Sequence, residues 1–90
     1  MSALYGFAYS DTALNFLETS VAPKLRRQIK HKVESLASNA NPPGSKKLHG
    51  ILDGENPVYR VRSGDYRILY SVRGIIIVVL DIANRKDVYR

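Results

Sequence analysis

"VYRVRSGDYRILY", residues 58–70, decides the fold. It holds two runs in which side-chain character alternates with period two, and they are separated by Ser63, Gly64 and Asp65. Alternation of this kind marks strands, and a glycine between two such runs marks a tight hairpin. Tyr59 and Val61 share one face of the first strand, Arg60 and Arg62 the other. In the second strand Tyr66, Ile68, Tyr70 and Val72 share a face, and Arg67 and Leu69 share its opposite. A two-residue turn at Ser63-Gly64 sets Arg60 opposite Arg67; one at Gly64-Asp65 sets Arg62 there. Either way two guanidinium groups meet across the ladder, which destabilises the pair. At that separation the repulsion is about 1–4 kcal/mol, depending on the local dielectric. Folding alone would avoid this crowding.

A third strand follows closely. "IIIVVLDI" (75–82) is apolar at both parities, so it is expected to be central and covered on both faces, or nearly so. A turn at Arg73-Gly74 would pair Ile77 and Val79 with Tyr70 and Ile68, beneath whatever covers the sheet. Ile76, Val78 and Leu80 would then join Leu69 and Arg67 on the uncovered face.

Upstream, "SALYGFAY" (2–9) alternates loosely and reads as a strand. Ser10 or Asp11 can cap a short helix through Leu14, Leu17 and Val21. Pro23 suits the first turn of a second helix, whose apolar stripe is Leu25, Ile29, Val33, Leu36 and Ala37. The other face of that helix carries Lys24, Arg26, Arg27, Lys30 and Lys32, with no acid between Glu18 and Glu34. "NANPPG" (39–44) ends the helix. "SKKLHGILDGENP" (45–57) reads as a connector with room for one short strand. The expectation is a single α+β domain over residues 1–90, with an N-terminal strand and a two-helix hairpin packed on an antiparallel sheet of about four strands.

Composition narrows the function. The net charge of +6 on 90 residues favours an anionic partner, nucleic acid ahead of a membrane surface. Plain solubility is the competing reading. There is no cysteine, which removes disulfides and thiolate metal sites and fits a reducing cytoplasm. No basic segment followed by an apolar core opens the chain, so no signal peptide is expected. The apolar run Ile75 to Leu80 is too short to span a bilayer.

A single charged residue on a strand is ordinarily just solvated. Three arginines on one hairpin, with no Asp or Glu between them on that face, suggest instead a grip for an anion. Phosphate suits guanidinium through bidentate, charge-assisted hydrogen bonds. The aliphatics beside them suggest that a protein covers the face at times. His31 reads as a surface residue of the basic helix. His49, after Lys46 and Lys47, is either solvated or within reach of the site. The two lysines track phosphates or are simply hydrated. Tyr59, Tyr66 and Tyr70 read as core. Asp65 serves the turn, Asp87 offsets a neighbouring arginine or contacts solvent, and Asp81 can pair with a tyrosine hydroxyl. Two isolated histidines without clustered carboxylates make no metal site, and no cofactor is expected.

"YRVRSGDYRILYSV" (59–72), the apolar strand after it, and "NRKDVYR" (84–90) together resemble the RelE/ParE superfamily of bacterial toxin–antitoxin toxins. "RRQIKHKVESLASNANPPGSKKLHG" (26–50) is similar to that superfamily's second helix and its Lys-Lys-Leu-x-Gly connector. The likeness runs through nearly the whole chain and is nearest the RelE branch. That branch implies an endoribonuclease cutting messenger RNA in the ribosomal A site by attack of the 2′-hydroxyl on the adjacent phosphate. It implies a cytoplasmic toxin neutralised by a RelB-like antitoxin, in a complex that is a heterotetramer or larger and binds operator DNA through the antitoxin. The ParE branch implies inhibition of DNA gyrase without catalysis. A degenerate member would keep antitoxin binding alone.

By position, the resemblance implies catalytic roles for Arg60, Arg67, Arg85 and Tyr89. Arg67 would hold the scissile phosphate, and Tyr89 would lie against the attacked nucleotide. Lys46, Lys47, His49, Arg62 and Lys86 would contact RNA. One departure bears on the chemistry: RelE-like nucleases have a lysine, proposed as proton acceptor, where this chain has Val58. Arginine stays protonated above pH 12 and tyrosine titrates near 10, so neither is a ready base. These residues can neutralise a pentavalent phosphate and hold RNA bent for in-line attack. The expected enzyme is a slow one that borrows geometry from the ribosome.

Overall fold

A computed structural model describes residues 5–40, 42 and 44–84. A short strand, β1 (Gly6–Tyr9), leads into helices α1 (Asp11–Ser20) and α2 (Pro23–Leu36). Four strands follow: β2 (Lys46–Asp53), β3 (Asn56–Ser63), β4 (Tyr66–Arg73) and β5 (Ile76–Asn84). They form one sheet in the order β1-β5-β4-β3-β2. β2 to β5 is an antiparallel meander, and β1 joins it parallel to β5. The architecture is the expected α+β layer pair, with five strands in a mixed sheet in place of about four antiparallel ones.

Local chemistry explains the helices. Ser10 caps α1, its Oγ accepting from the Ala13 amide at 3.0 Å and donating to the Leu80 carbonyl at 2.7 Å. One hydroxyl thus starts the helix and ties it to β5. Pro23 opens α2, where its missing N–H would have had no helical acceptor. Leu17 and Val21 are buried as expected, together with Ala13, whereas Leu14 stays exposed. On α2, Ile29, Val33 and Leu36 are buried and Leu25 is not. Arg26, assigned above to the basic face, turns to α1. It donates to the carbonyls of Leu17 (3.0 Å), Glu18 (3.3 Å) and Val21 (3.1 Å), satisfying groups that a helix end leaves open.

The core lies between the helices and one side of the sheet. Ile77 and Val79 of β5, Ile68 and Tyr70 of β4, and Val61 of β3 meet Leu17, Ile29, Val33 and Leu36 there. All three meander tyrosines point to this side. Tyr59 stacks on Tyr70 with ring centroids 5.6 Å apart, and Tyr66 meets Phe16 edge-on at 6.2 Å. The Tyr70 hydroxyl donates to the Ala40 carbonyl at 2.6 Å, pinning the chain after α2 to the sheet. Burial raises the pKa of Tyr70, and it pushes that of Tyr9 up to about 12 with help from Glu34.

The hairpin turns set the faces. Ser63 pairs with Tyr66, so the first turn is Gly64-Asp65. Gly64 has φ 59° and, among the described residues, no non-glycine residue has positive φ, the pattern of a II′ turn, which suits the twist of the flanking strands. The second turn is Gly74-Ile75, one residue beyond the expected Arg73-Gly74. This moves the register by two, an even number, so Ile77 and Val79 keep their place beneath the helices.

Candidate phosphate-binding face

The side of the sheet away from the helices is built from alternate residues of four strands, and the register defines its rows. Arg62 of β3 lies directly opposite Arg67 of β4, whose partner on β5 is Ala83. The adjoining row runs Lys46, Arg60, Leu69 and Asp81 across β2 to β5. Four basic side chains therefore occupy two neighbouring rows at one end of the face. Their burial is graded. Arg67 is 2% exposed, Arg60 is half-buried, and Arg62 and Lys46 are exposed.

The opposite end of the face differs from expectation. Alternation predicts an uncovered face there, but Val58 is 2% exposed and Ser71 is fully buried. The cause is β2. The segment read as a connector is an eight-residue strand with a register shift between Leu48 and Leu52, and such a bulge bends and twists the strand that carries it. At its end Asp53 reaches across β3. Its Oδ2 accepts from the Ser71 hydroxyl at 2.6 Å and from Arg73 Nε at 2.7 Å, while Arg73 Nη2 donates to Oδ1. These hydrogen bonds, that from Arg73 first, hold the Asp53 carboxyl below its ordinary range, and Asp53 raises the pKa of Arg73 in turn. The signal for this hairpin was the Asp-Gly pair at 53–54: Asp53 pairs with Asn56 around a two-residue turn, and Gly54 has φ 63°.

A second correction concerns β5. A register shift opposite Leu69 and Tyr70 makes Leu80 the extra residue, so Ile82 comes to lie opposite Ile68 in the core. Asp81, not Leu80, faces Leu69. The face therefore does contain an acid beside its arginines. Asp81 Oδ1 accepts from the Ile82 amide at 2.9 Å, a bond within the bulge and not the tyrosine contact expected.

The other candidates divide. Lys46 shares the face of Arg60, but Lys47 pairs with Tyr59 and belongs to the helix side, so the two lysines do not act together. His49 is exposed within the interrupted stretch of β2, where alternation assigns it to neither face. Arg85, Lys86, Asp87 and Tyr89 lie outside the described residues. Among the described residues no group of three or more His, Asp or Glu could hold a metal ion, and no helix is long and apolar enough to cross a membrane.

Chemically, the arrangement can hold a phosphate. Arg62 and Arg67, opposed on the ladder, present a concentration of positive charge with forked donors, which suits an anion. It offers no proton acceptor at Val58.

Comparison with known proteins agrees with this reading of the fold. A family model described as the ParE toxin of the type II toxin–antitoxin system parDE matches residues 8–89. A chain of the archaeal RelE–RelB complex from Pyrococcus horikoshii OT3 is 26% identical, with TM-score 0.77 over 91% of this chain and 96% of that one. A chain of the RelB–RelE antitoxin–toxin complex from Methanococcus jannaschii is 28% identical, with TM-score 0.66 over 90% and 93% of the two chains. A chain of the RelBE2 toxin–antitoxin complex from Mycobacterium tuberculosis, 22% identical, shares the fold with TM-score 0.77 over 94% and 95%. A search of curated proteins finds no match. The chain belongs to the ParE toxin family of type II toxin–antitoxin systems, within the RelE/ParE superfamily, and its fold is RelE-like.

Proposed function

We propose that this toxin is a ribosome-dependent endoribonuclease that cuts messenger RNA in the A site. The observation that carries the reading is the facing pair Arg62 and Arg67, with Arg60 and Lys46 in the next row. In the proposed reaction the 2′-hydroxyl gives its proton to solvent, its oxygen bonds to the scissile phosphorus, and the bond to the 5′-oxygen breaks, that oxygen taking a proton from solvent. The products are a 2′,3′-cyclic phosphate and a free 5′-hydroxyl. Arg67 and Arg60 stabilise the charge of the pentavalent phosphate, with Arg85 contributing a third guanidinium and Tyr89 orienting the attacked nucleotide. Arg62 and Lys46 engage neighbouring phosphates. The 2′-hydroxyl proton has no acceptor at Val58, so the rate rests on alignment and charge, with the ribosome imposing the in-line geometry.

A RelB-like antitoxin neutralises the toxin in this reading, by covering the basic face in a heterotetramer or larger assembly that meets operator DNA through the antitoxin. The three structural relatives are all chains of RelB–RelE-type complexes, which supports an antitoxin partner. Purified toxin added to programmed ribosomes is expected to cleave the message. Arg60→Ala is expected to abolish cleavage while its melting curve stays cooperative. Intact message with the wild-type protein overturns the proposal.

A second reading, inhibition of DNA gyrase, is favoured by the ParE family model and by the apolar, buried Val58. It predicts loss of supercoiling with purified gyrase, which the nuclease reading does not. A chain that only binds antitoxin would arrest growth in neither way.

A further inference from the structure

Asp81 is the residue of the sheet face that phosphate binding does not use. The bulge in β5 puts it there: Val79 and Ile82 are both buried in the core, so the two residues between them, Leu80 and Asp81, share the outer side. Asp81 then ends the row Lys46, Arg60, Leu69, Asp81, with Arg67 in the adjoining row. Its Oδ1 accepts from the Ile82 amide at 2.9 Å, which fixes the carboxyl group on the bulge, and among the described residues it forms no ion pair. Asparagine or serine would accept the same bond without the charge. A carboxylate in this place repels the phosphates that its neighbours attract. A ligand that also brings hydrogen-bond donors to the face accounts for it, and in RNA those donors are the base edges and the 2′-hydroxyls.

We infer that Asp81 is a specificity-determining residue that reads a guanine of the message. The inference rests on the proposed binding of message at this face. Of the four bases, guanine presents two neighbouring donors, N1–H and the 2-amino group, which match the two oxygens of a carboxylate. Uracil offers one N–H between two carbonyl oxygens that a carboxylate repels, and adenine and cytosine offer an amino group beside a ring acceptor. The row supplies the rest of a nucleotide site. Neighbouring strands lie about 4.8 Å apart, so Arg60 on β3 and Asp81 on β5 are about 10 Å apart across β4. That is the reach of one nucleotide from its phosphate to its base edge. Leu69, half-buried between them, gives the flat of the base an apolar seat. Arg60 holds the phosphate, Leu69 underlies the base and Asp81 takes its edge.

The test compares wild type with Asp81→Asn, which keeps an acceptor for the Ile82 amide. The probes are two fluorescent RNA pentamers, AAGAA and the same chain with inosine for guanine, titrated at low salt, about 50 mM KCl. Inosine keeps N1–H and lacks only the 2-amino group. Wild type should bind the guanine pentamer about 10-fold more tightly than the inosine one, and Asp81→Asn should bind the two alike. Because the readout is a ratio, a general gain in RNA affinity from losing a negative charge does not enter it. Equal binding of the two RNAs by wild type overturns the inference, as a contact to a 2′-hydroxyl or to the bulge alone would give. A variant that melts like wild type and keeps the guanine preference overturns it too. A wild-type protein that prefers guanine but leaves messages uncut on programmed ribosomes keeps this role for Asp81 and removes the nuclease. One that cuts messages at the same rate with guanine or inosine in the A site keeps the nuclease and removes the role.

Discussion

If the charge on the sheet face serves binding, removing part of it should stabilise the free toxin. Arg62→Gln is the informative change, because Arg62 is exposed and lies directly opposite the buried Arg67. Opposed residues on a sheet have Cβ atoms about 5 Å apart. Two unit charges at about 5 Å repel by about 0.8 kcal/mol in water and about 3.3 kcal/mol at an effective dielectric of 20. Arg62 can swing its head outward into solvent, so the low end applies, and about 1 kcal/mol should be recovered. For a domain of this size that raises the melting temperature by about 4–8 °C. Circular-dichroism melts at about 10 mM and about 1 M salt check it, since the screening length falls from about 30 to about 3 Å and the gain should vanish at the higher salt. Arg62→Lys keeps the charge and should show no gain. The same Gln variant should bind ribosomes more weakly. An Arg62→Gln protein that melts at or below wild type in low salt refutes the claim that folding tolerates this pair for the sake of an anion.

Two further outcomes test the parts that hold the face in shape. Tyr70→Phe leaves the Ala40 carbonyl without its 2.6 Å donor while keeping the ring on Tyr59, and thermal melts should register a loss of about 1–2 kcal/mol. An unchanged melt would mean that the tether after α2 is dispensable. Acid should act through Asp53, whose folded-state pKa is held below the ordinary 3.8 chiefly by Arg73. A depressed carboxyl stabilises the fold above its unfolded value, and that contribution is lost as pH falls through the folded value. Denaturant midpoints measured downward from pH 5 should therefore fall less steeply below about pH 4 in Asp53→Asn than in wild type. Parallel curves would show that the clamp contributes nothing that titrates.

Much of this was legible because the deciding signals were local. The hairpin at Gly64, the helix stripe of Ile29, Val33 and Leu36, and the cap at Ser10 each follow from a few neighbouring residues. β1 beside β5 was not legible, because parallel pairing depends on contacts some seventy residues apart and leaves no local mark. The stretch 45–57 was given room for one short strand, but the length of β2 was hidden for a different reason. Lys46, Lys47, His49 and Gly50 have weak strand preference, and the bulge removes the alternation by which strands are recognised. The acid at the site was lost the same way: one extra residue at Leu80 exchanged the faces of everything after it and put Asp81 where an aliphatic was expected. The arginines were found from residue type and parity alone, but their graded burial depends on how the strands curl.

That curl also bears on the chemistry open to the toxin. Position 58 is a closed site: Val58 packs with Leu48 and Ser71 as neighbours on the ladder, and the Asp53 clamp bonds Ser71 and Arg73 beside it. A lysine there would have to carry its ammonium out past an ion pair that already uses the local carboxylate. The face is thus specialised at its two ends, locked by a paired charge at one and loaded with unlike burial of like charges at the other. In the nuclease reading, catalysis confined to the loaded end works by electrostatics and positioning without a resident base. A rate enhancement so built depends on who supplies the geometry, and a small sheet with one basic end cannot bend a free RNA by itself. In that reading the apolar Val58 leaves cleavage dependent on the ribosome.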